Sequence, residues 1–136
     1  MRETRFIILA IIFCLGFVGC SSDSDGTEES NTHDEIIGKW VTTSYYTSGG
    51  YFVPNNDGEF YDFKSDKTCV FYNGNILDTY DYYEFAYSQT SKIIGCKHSK
   101  GWDLNIKVEF ENEDEAVFYI TGKTSNSNKT IKVKRN

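Results

Sequence analysis

The chain is short of basic residues. Its 14 Lys and Arg face 20 Asp and Glu, a formal net charge of −6. That balance disfavours nucleic acid, whose affinity rests on Lys/Arg–phosphate contacts, so no nucleic-acid partner is expected. It also argues against a polybasic membrane-binding face. Histidine is scarcer still, with only His33 and His98. His33 lies in a stretch with almost nothing apolar, and His98 lies by a turn among lysines. A Ser–His–Asp or Cys–His device needs positioned partners, and none is visible for either histidine. Neither CxxC nor HxxxH spacing occurs, which removes the common zinc patterns, and no Gly-rich phosphate loop is present. Glu111, Glu113, Asp114 and Glu115 would attract a cation, but oxygen sites need converging ligands, and a solvated hairpin tip accounts for them. The chain is therefore expected to be non-enzymatic, with no metal and no cofactor.

Long apolar runs are missing too. The longest, Phe6 to Val18, has 13 residues, too few to cross a hydrocarbon core of about 30 Å as a helix. It follows a short positive start, Met1-Arg2-Glu3-Thr4-Arg5, and the two together read as a signal peptide. Phe17-Val18-Gly19-Cys20 closes the run and resembles the lipobox of bacterial prolipoproteins. Phe17 stands where leucine is usual, and the rival Cys14 follows Phe13, which is too bulky for that cleavage. The resemblance implies removal of residues 1–19, acylation of Cys20 and attachment to a membrane through that lipid, since two or more acyl chains give lasting anchorage. Residues 21–35 hold six acids and no base, a composition expected to remain a disordered tether. Fully extended, such a tether reaches roughly 50 Å. Ser22-Asp23-Ser24-Asp25 resembles the surface-export signal of Bacteroidetes lipoproteins, which implies the outer membrane and exposure on the cell surface.

From Ile36 onward the character changes. Tyr, Phe, Thr and Val dominate and favour strands. Phe60–Phe63 and Thr68–Tyr72 flank Lys64-Ser65-Asp66-Lys67, a hairpin by residue type, and Asn73-Gly74 marks a further turn. Ile76–Tyr87 is long enough for two short strands or one bent strand. The clearest alternation places Trp102, Leu104, Ile106, Val108 and Phe110 on one face. Ala116, Phe118 and Ile120 are expected to face inward, residues 123–129 to form a polar loop, and Thr130–Arg135 to form the last strand. No apolar run has a helical period. Seven to nine antiparallel strands with turns every 8–12 residues predict an all-β domain over residues 36–136, a sandwich or a closed up-and-down barrel.

Ile37-Gly38-Lys39-Trp40 resembles the Gly-x-Trp opening of lipocalin-like proteins, and residues 36–136 are similar to small lipocalin-like lipoproteins of the Bacteroidetes type. Phe63-Lys64-Ser65-Asp66-Lys67-Thr68 sits where that group has an F-x-x-D-G-T hairpin, with Lys67 in place of glycine. The Thr-Asp-Tyr motif of larger lipocalins is absent. The resemblance implies an antiparallel up-and-down barrel of about eight strands. It also implies that Trp40 lies across one end with a basic residue of the last strand over its ring. Alternation makes that residue Arg135, because Ile131 and Val133 share its face.

Two features remain. An oxidising envelope permits a disulfide between Cys69 and Cys96, contributing about 3 kcal/mol in the chain-entropy model, but each is equally read as a small buried apolar residue. Tyr45, Tyr46, Tyr51 and Phe52 crowd the first connection, while Tyr80 and Tyr82 share a face opposite Tyr83, Phe85 and Tyr87. Exposed tyrosines supply rigid amphipathic contact area. The expected function is binding of a small ligand or partner at an open barrel end. The alternatives are a protein-interaction module (an inhibitor, immunity factor or envelope-complex subunit) and a glycan-binding surface lipoprotein.

Overall fold

The computed structural model describes residues 35–122 and 128–136. Residues 1–34, which include the expected leader, Cys20 and the expected tether as far as Asp34, lie outside the described residues, as do 123–127 of the expected polar loop. Nine strands follow one another: β1 (Gly38–Tyr46), β2 (Phe52–Pro54), β3 (Phe60–Phe63), β4 (Thr68–Tyr72), β5 (Tyr80–Ser88), β6 (Ile93–His98), β7 (Leu104–Phe110), β8 (Glu115–Gly122) and β9 (Lys129–Arg135). All pairings are antiparallel, and each strand from β3 onward pairs with the next.

β2 and β3 share one edge of β1. β2 pairs with Ser44–Tyr46, and β3 with Gly38–Val41. They are two pieces of one interrupted stave, so the nine strands make eight staves. β9 then pairs with the other edge of β1, from Trp40↔Arg135 to Tyr45↔Ile131. The result is a closed, antiparallel, up-and-down barrel of eight strands with no helix among the described residues. Closure pairs the strand edges that such an aromatic, β-prone chain would otherwise expose.

Alternation decides which side chains turn inward. Ile106 and Val108 of β7 are buried while Asn105, Lys107 and Glu109 are exposed, and β5 buries Tyr83, Phe85 and Tyr87 while Tyr82, Glu84 and Ala86 face water. The inward rings meet across the axis. Phe118 of β8 lies 5.8 Å from Trp40, 6.0 Å from Tyr61 and 6.3 Å from Phe63, ring centre to ring centre. Phe63 in turn touches Phe71 at 5.8 Å and Phe85 at 5.2 Å, edge to face. An eight-stranded barrel has an interior that side chains just fill. Here aromatic rings fill it, each burial contributing about 1.5–3 kcal/mol.

Two details differ from the alternation. Trp102 does not begin β7. That strand starts at Leu104, where its pairing with Cys96 of β6 begins, and Trp102 is 56% exposed. Asp103 accepts a hydrogen bond from His98 N at 3.1 Å, which ties the two ends of this connection together and leaves Trp102 in the loop. The segment 76–87 is one strand preceded by a loop, because Asn73 N donates to Thr79 O across residues 73–79.

Candidate functional site

The end of the barrel where β1 begins and β9 finishes is sealed. The Arg135 guanidinium lies over Trp40, its Cζ 4.4 Å from the ring centroid. Its donors reach Glu35 O at 2.7 Å, Ile37 O at 2.8 Å and Glu113 O at 3.2 Å, so Arg135 caps three carbonyls while covering the indole. Trp40, fully buried, donates from Nε1 to Ile36 O at 2.9 Å. Glu35 belongs to this plug rather than to the tether. Lys92 Nζ and the Tyr87 hydroxyl both donate to its carboxylate, at 2.8 and 2.9 Å. Burial, then this neighbouring carboxylate, pushes the Tyr87 phenol well above its ordinary range. Every polar group of the plug named here has a partner within the barrel, so this end acts in closure.

Cys69 and Cys96 are both buried, free thiols in the core. They stand on β4 and β6 with β5 between them, Cys69 opposite Tyr83 and Cys96 opposite Phe85. Two inter-strand spacings put their backbones roughly 9–10 Å apart. A disulfide needs Cα atoms within about 7 Å. The neighbouring Cys96 thiol, together with burial, pushes the Cys69 thiol strongly up and keeps it from ionising.

The opposite end holds a polar cluster that was not read from the sequence. Glu59, between β2 and β3, accepts from the Tyr61 hydroxyl at 2.5 Å, from Thr42 Oγ1 at 3.2 Å and from Lys129 Nζ at 2.8 Å. Its side chain is only 15% exposed. Burial, followed by the Glu59 charge, raises the Tyr61 phenol far above its usual range. A signal was available: Glu59 is two residues from Tyr61 and four from Phe63, hence on the inward face of the same stave.

Up-and-down order brings the loops 47–51, 73–79 and 99–103 to this same end. On or beside them the chain leaves large apolar groups in water. Tyr45, Tyr46, Tyr51, Tyr80 and Tyr82 are 44–65% exposed. Phe52 is half-buried, covered by the edge of Tyr46 at 5.2 Å and by Lys132 Nζ at 4.8 Å. The six aromatics do not form one cluster. Tyr45, Tyr46, Tyr51 and Phe52 belong to the β1–β2 hairpin, and Tyr80 and Tyr82 to β5, with β3 and β4 between. Tyr80 stacks on Tyr72 at 4.7 Å and Tyr72 on Phe60 at 5.3 Å, an aromatic ladder on the outer wall. Next to it lies an open cleft of about 590 Å³, lined by Tyr82, Val70, Lys64, Thr68, Glu84 and Lys97 among others.

Ile76, Leu77 and Trp102 complete the exposed apolar groups of this end, and none was singled out as exposed from the sequence. Trp102 stacks on His98 at 4.9 Å, and His98 meets the Tyr83 ring at 5.0 Å, so His98 packs between two aromatics. Among the described residues no group of three or more His, Cys, Asp or Glu is arranged to hold a metal ion. Glu111, at the hairpin tip, faces Lys132 instead at 3.6 Å.

These features define a class: a barrel filled by its own side chains, plugged at one end by Arg135 over Trp40, and presenting apolar groups around the other. The architecture is consistent with a lipocalin-like barrel. No family model matches the chain, and no curated protein and no solved structure matches it either.

Proposed function

We propose that this chain is a non-enzymatic, lipocalin-like lipoprotein of the bacterial outer membrane, held by acylated Cys20, that binds a partner on the outside of its open end. The observation that carries this reading is the combination of a filled interior with exposed apolar groups on three loops of one end. A ligand inside the barrel would have to displace rings such as Phe118, Tyr61 and Phe71, which are at most 3% exposed. Exposed apolar patches, by contrast, mark interaction surfaces.

The cleft on the outer wall favours a second reading, glycan binding. It sets the exposed Tyr82 ring beside the hydroxyl and charged groups of Thr68, Glu84 and Lys97. Aromatic faces with nearby donors and acceptors suit sugars as well as proteins.

Two measurements test the main reading. Cys20→Ala should move the protein from the membrane fraction to the soluble one. In gently solubilised membranes the wild-type protein should run as a complex larger than its 15.6 kDa chain, and a Tyr46→Ser/Leu77→Ser/Trp102→Ser variant should run alone. Wild-type protein running alone would overturn the partner reading.

A further inference from the structure

Ile76 and Leu77 are 87% and 67% exposed, side by side in the loop between β4 and β5. Aliphatic pairs in flexible loops are unremarkable, but this loop is built. Asn73 closes its base, donating from its backbone to Thr79 O at 2.9 Å and from its side chain to Thr79 Oγ1 at 3.0 Å and Asp81 Oδ2 at 2.8 Å. Asp78 N donates to Gly74 O at 2.8 Å, which turns the tip. The Tyr72 hydroxyl lies 3.0 Å from Asn75 Oδ1 and 3.2 Å from Asp78 Oδ1. Asp57, from the connection between β2 and β3, accepts from Asn75 N at its carbonyl (2.7 Å) and from Ile76 N at its carboxylate (3.0 Å).

Backbone conformation is committed as well. Gly74 has φ +90 and Asp78 φ +48, and a Cβ at position 74 would lie 2.0 Å from Asp57 Oδ2. Aspartate is one of the few residues other than glycine that enter the left-handed region readily, so Asp78 holds the turn while the two aliphatic groups the loop carries stay unburied. Such an arrangement makes sense if the burial occurs elsewhere. A side chain already fixed in its bound position loses little freedom on binding.

The surroundings say what kind of partner. Asp57, Asp78 and Asp81 ring the loop, and among the described residues none of them forms an ion pair. Uncompensated negative charge around an apolar tip disfavours an anionic lipid surface and suits a pocket rimmed by cations. The neighbouring Tyr80 and Tyr82 extend the contact area down the wall.

We infer that Ile76 and Leu77 form a preorganised apolar prong, held out by Asp57, that inserts into an apolar pocket rimmed by Lys and Arg on a partner protein. This deepens the binding reading above and rests on it. Asp57 acts as a positioning residue, and the two aliphatic side chains are the contact.

The test uses the full lipoprotein in its own membrane, with photoreactive p-benzoylphenylalanine placed at position 77, at position 46 on the β1–β2 hairpin, or at exposed Lys107 on β7. Position 77 should give one discrete protein adduct and position 107 none. The adduct should fall at least tenfold with Asp57→Ala and when the salt concentration is raised before irradiation. With the cross-linked protein purified, Ile76→Ser and Leu77→Ser should each weaken binding roughly thirtyfold, the range of an interface hot spot, without altering the barrel's thermal melt. Adducts with lipid alone, equal adducts at 77 and 107, or no response to Asp57→Ala would overturn the prong. Capture from position 46 but not 77 would sink the prong while leaving the broader reading intact, and capture from none of the three would sink both.

Discussion

Arg135 lies over Trp40, the two residues being direct partners across the β1–β9 seam that closes the barrel. One side chain thus covers the indole, caps three backbone carbonyls and marks the last paired position of the seam. Arg135→Ala should cost about 1–3 kcal/mol in chemical denaturation, combining the cation–π contact with the carbonyls it leaves bare. Arg135→Lys should recover only part of that, since an ammonium cannot reach all three acceptors in one plane. Lys134→Ala, on the solvent face, should change almost nothing. Equal costs at positions 134 and 135 would show that the plug contributes nothing specific.

Alkali should unfold this protein in a defined window. Burial raises the phenols of Tyr61, Tyr83 and Tyr87, that of Tyr83 up to about 12. These groups hold their protons more tightly in the folded chain than in the unfolded one, where phenols ionise near pH 10. Their contribution to stability is therefore complete below pH 10; that of Tyr83 is lost as pH climbs through about 12, and those of Tyr61 and Tyr87 at higher pH still. Absorbance at 295 nm should show a late phase in that interval, coincident with loss of the β circular-dichroism signal. Complete ionisation of every tyrosine by pH 10.5 with the fold intact would contradict the burial.

The cysteine pair gives a redox prediction. With β5 between them, Cys69 and Cys96 should stay reduced even in an oxidising compartment. Alkylating reagent added to the native protein should label neither. After unfolding without reductant it should label both, and a requirement for reductant would show a bond that the strand order does not accommodate.

Lys67 adopts φ +67 in the β3–β4 hairpin, where Lys67 N donates to Lys64 O at 3.1 Å and Asp66 Oδ1 accepts from Thr68 N at 2.9 Å. Glycine is the residue such a position favours. Lys67→Gly should raise stability by up to about 1 kcal/mol, relief of left-handed strain outweighing the added freedom of the unfolded chain. Ser65→Gly in the same turn, with no such strain to relieve, should not stabilise. A melting temperature lowered by Lys67→Gly would decide against this account.

Much of the barrel was legible because alternation is a local property. Ile106 and Val108, Phe118 and Ile120, and Tyr83, Phe85 and Tyr87 fall on the buried face by their spacing alone. Trp102 has the same spacing and lies outside, because the hydrogen bond from His98 N to Asp103 holds the connection as a loop and the strand begins two residues later. Glu59 was passed over for the opposite reason. A carboxylate on an inward face reads as an error of register until Lys129, from the far end of the chain, is placed beside it.

The sequence by itself determined most of the strands and most of their inward faces, since these follow from neighbours two residues apart. It left open the pairing of the cysteines, the contents of the barrel and which apolar groups stay in water. Only the tertiary structure decided those, because each depends on distances between residues remote in the chain. β5 intervenes between Cys69 and Cys96, Phe118 crosses the axis to meet Tyr61 and Phe63, and Asp57 reaches Ile76 to hold two aliphatic side chains in water. Periodicity says which side of a strand is apolar. Closing the sheet is what turns one of those sides into a filled interior and leaves the loops at one end to carry what is exposed.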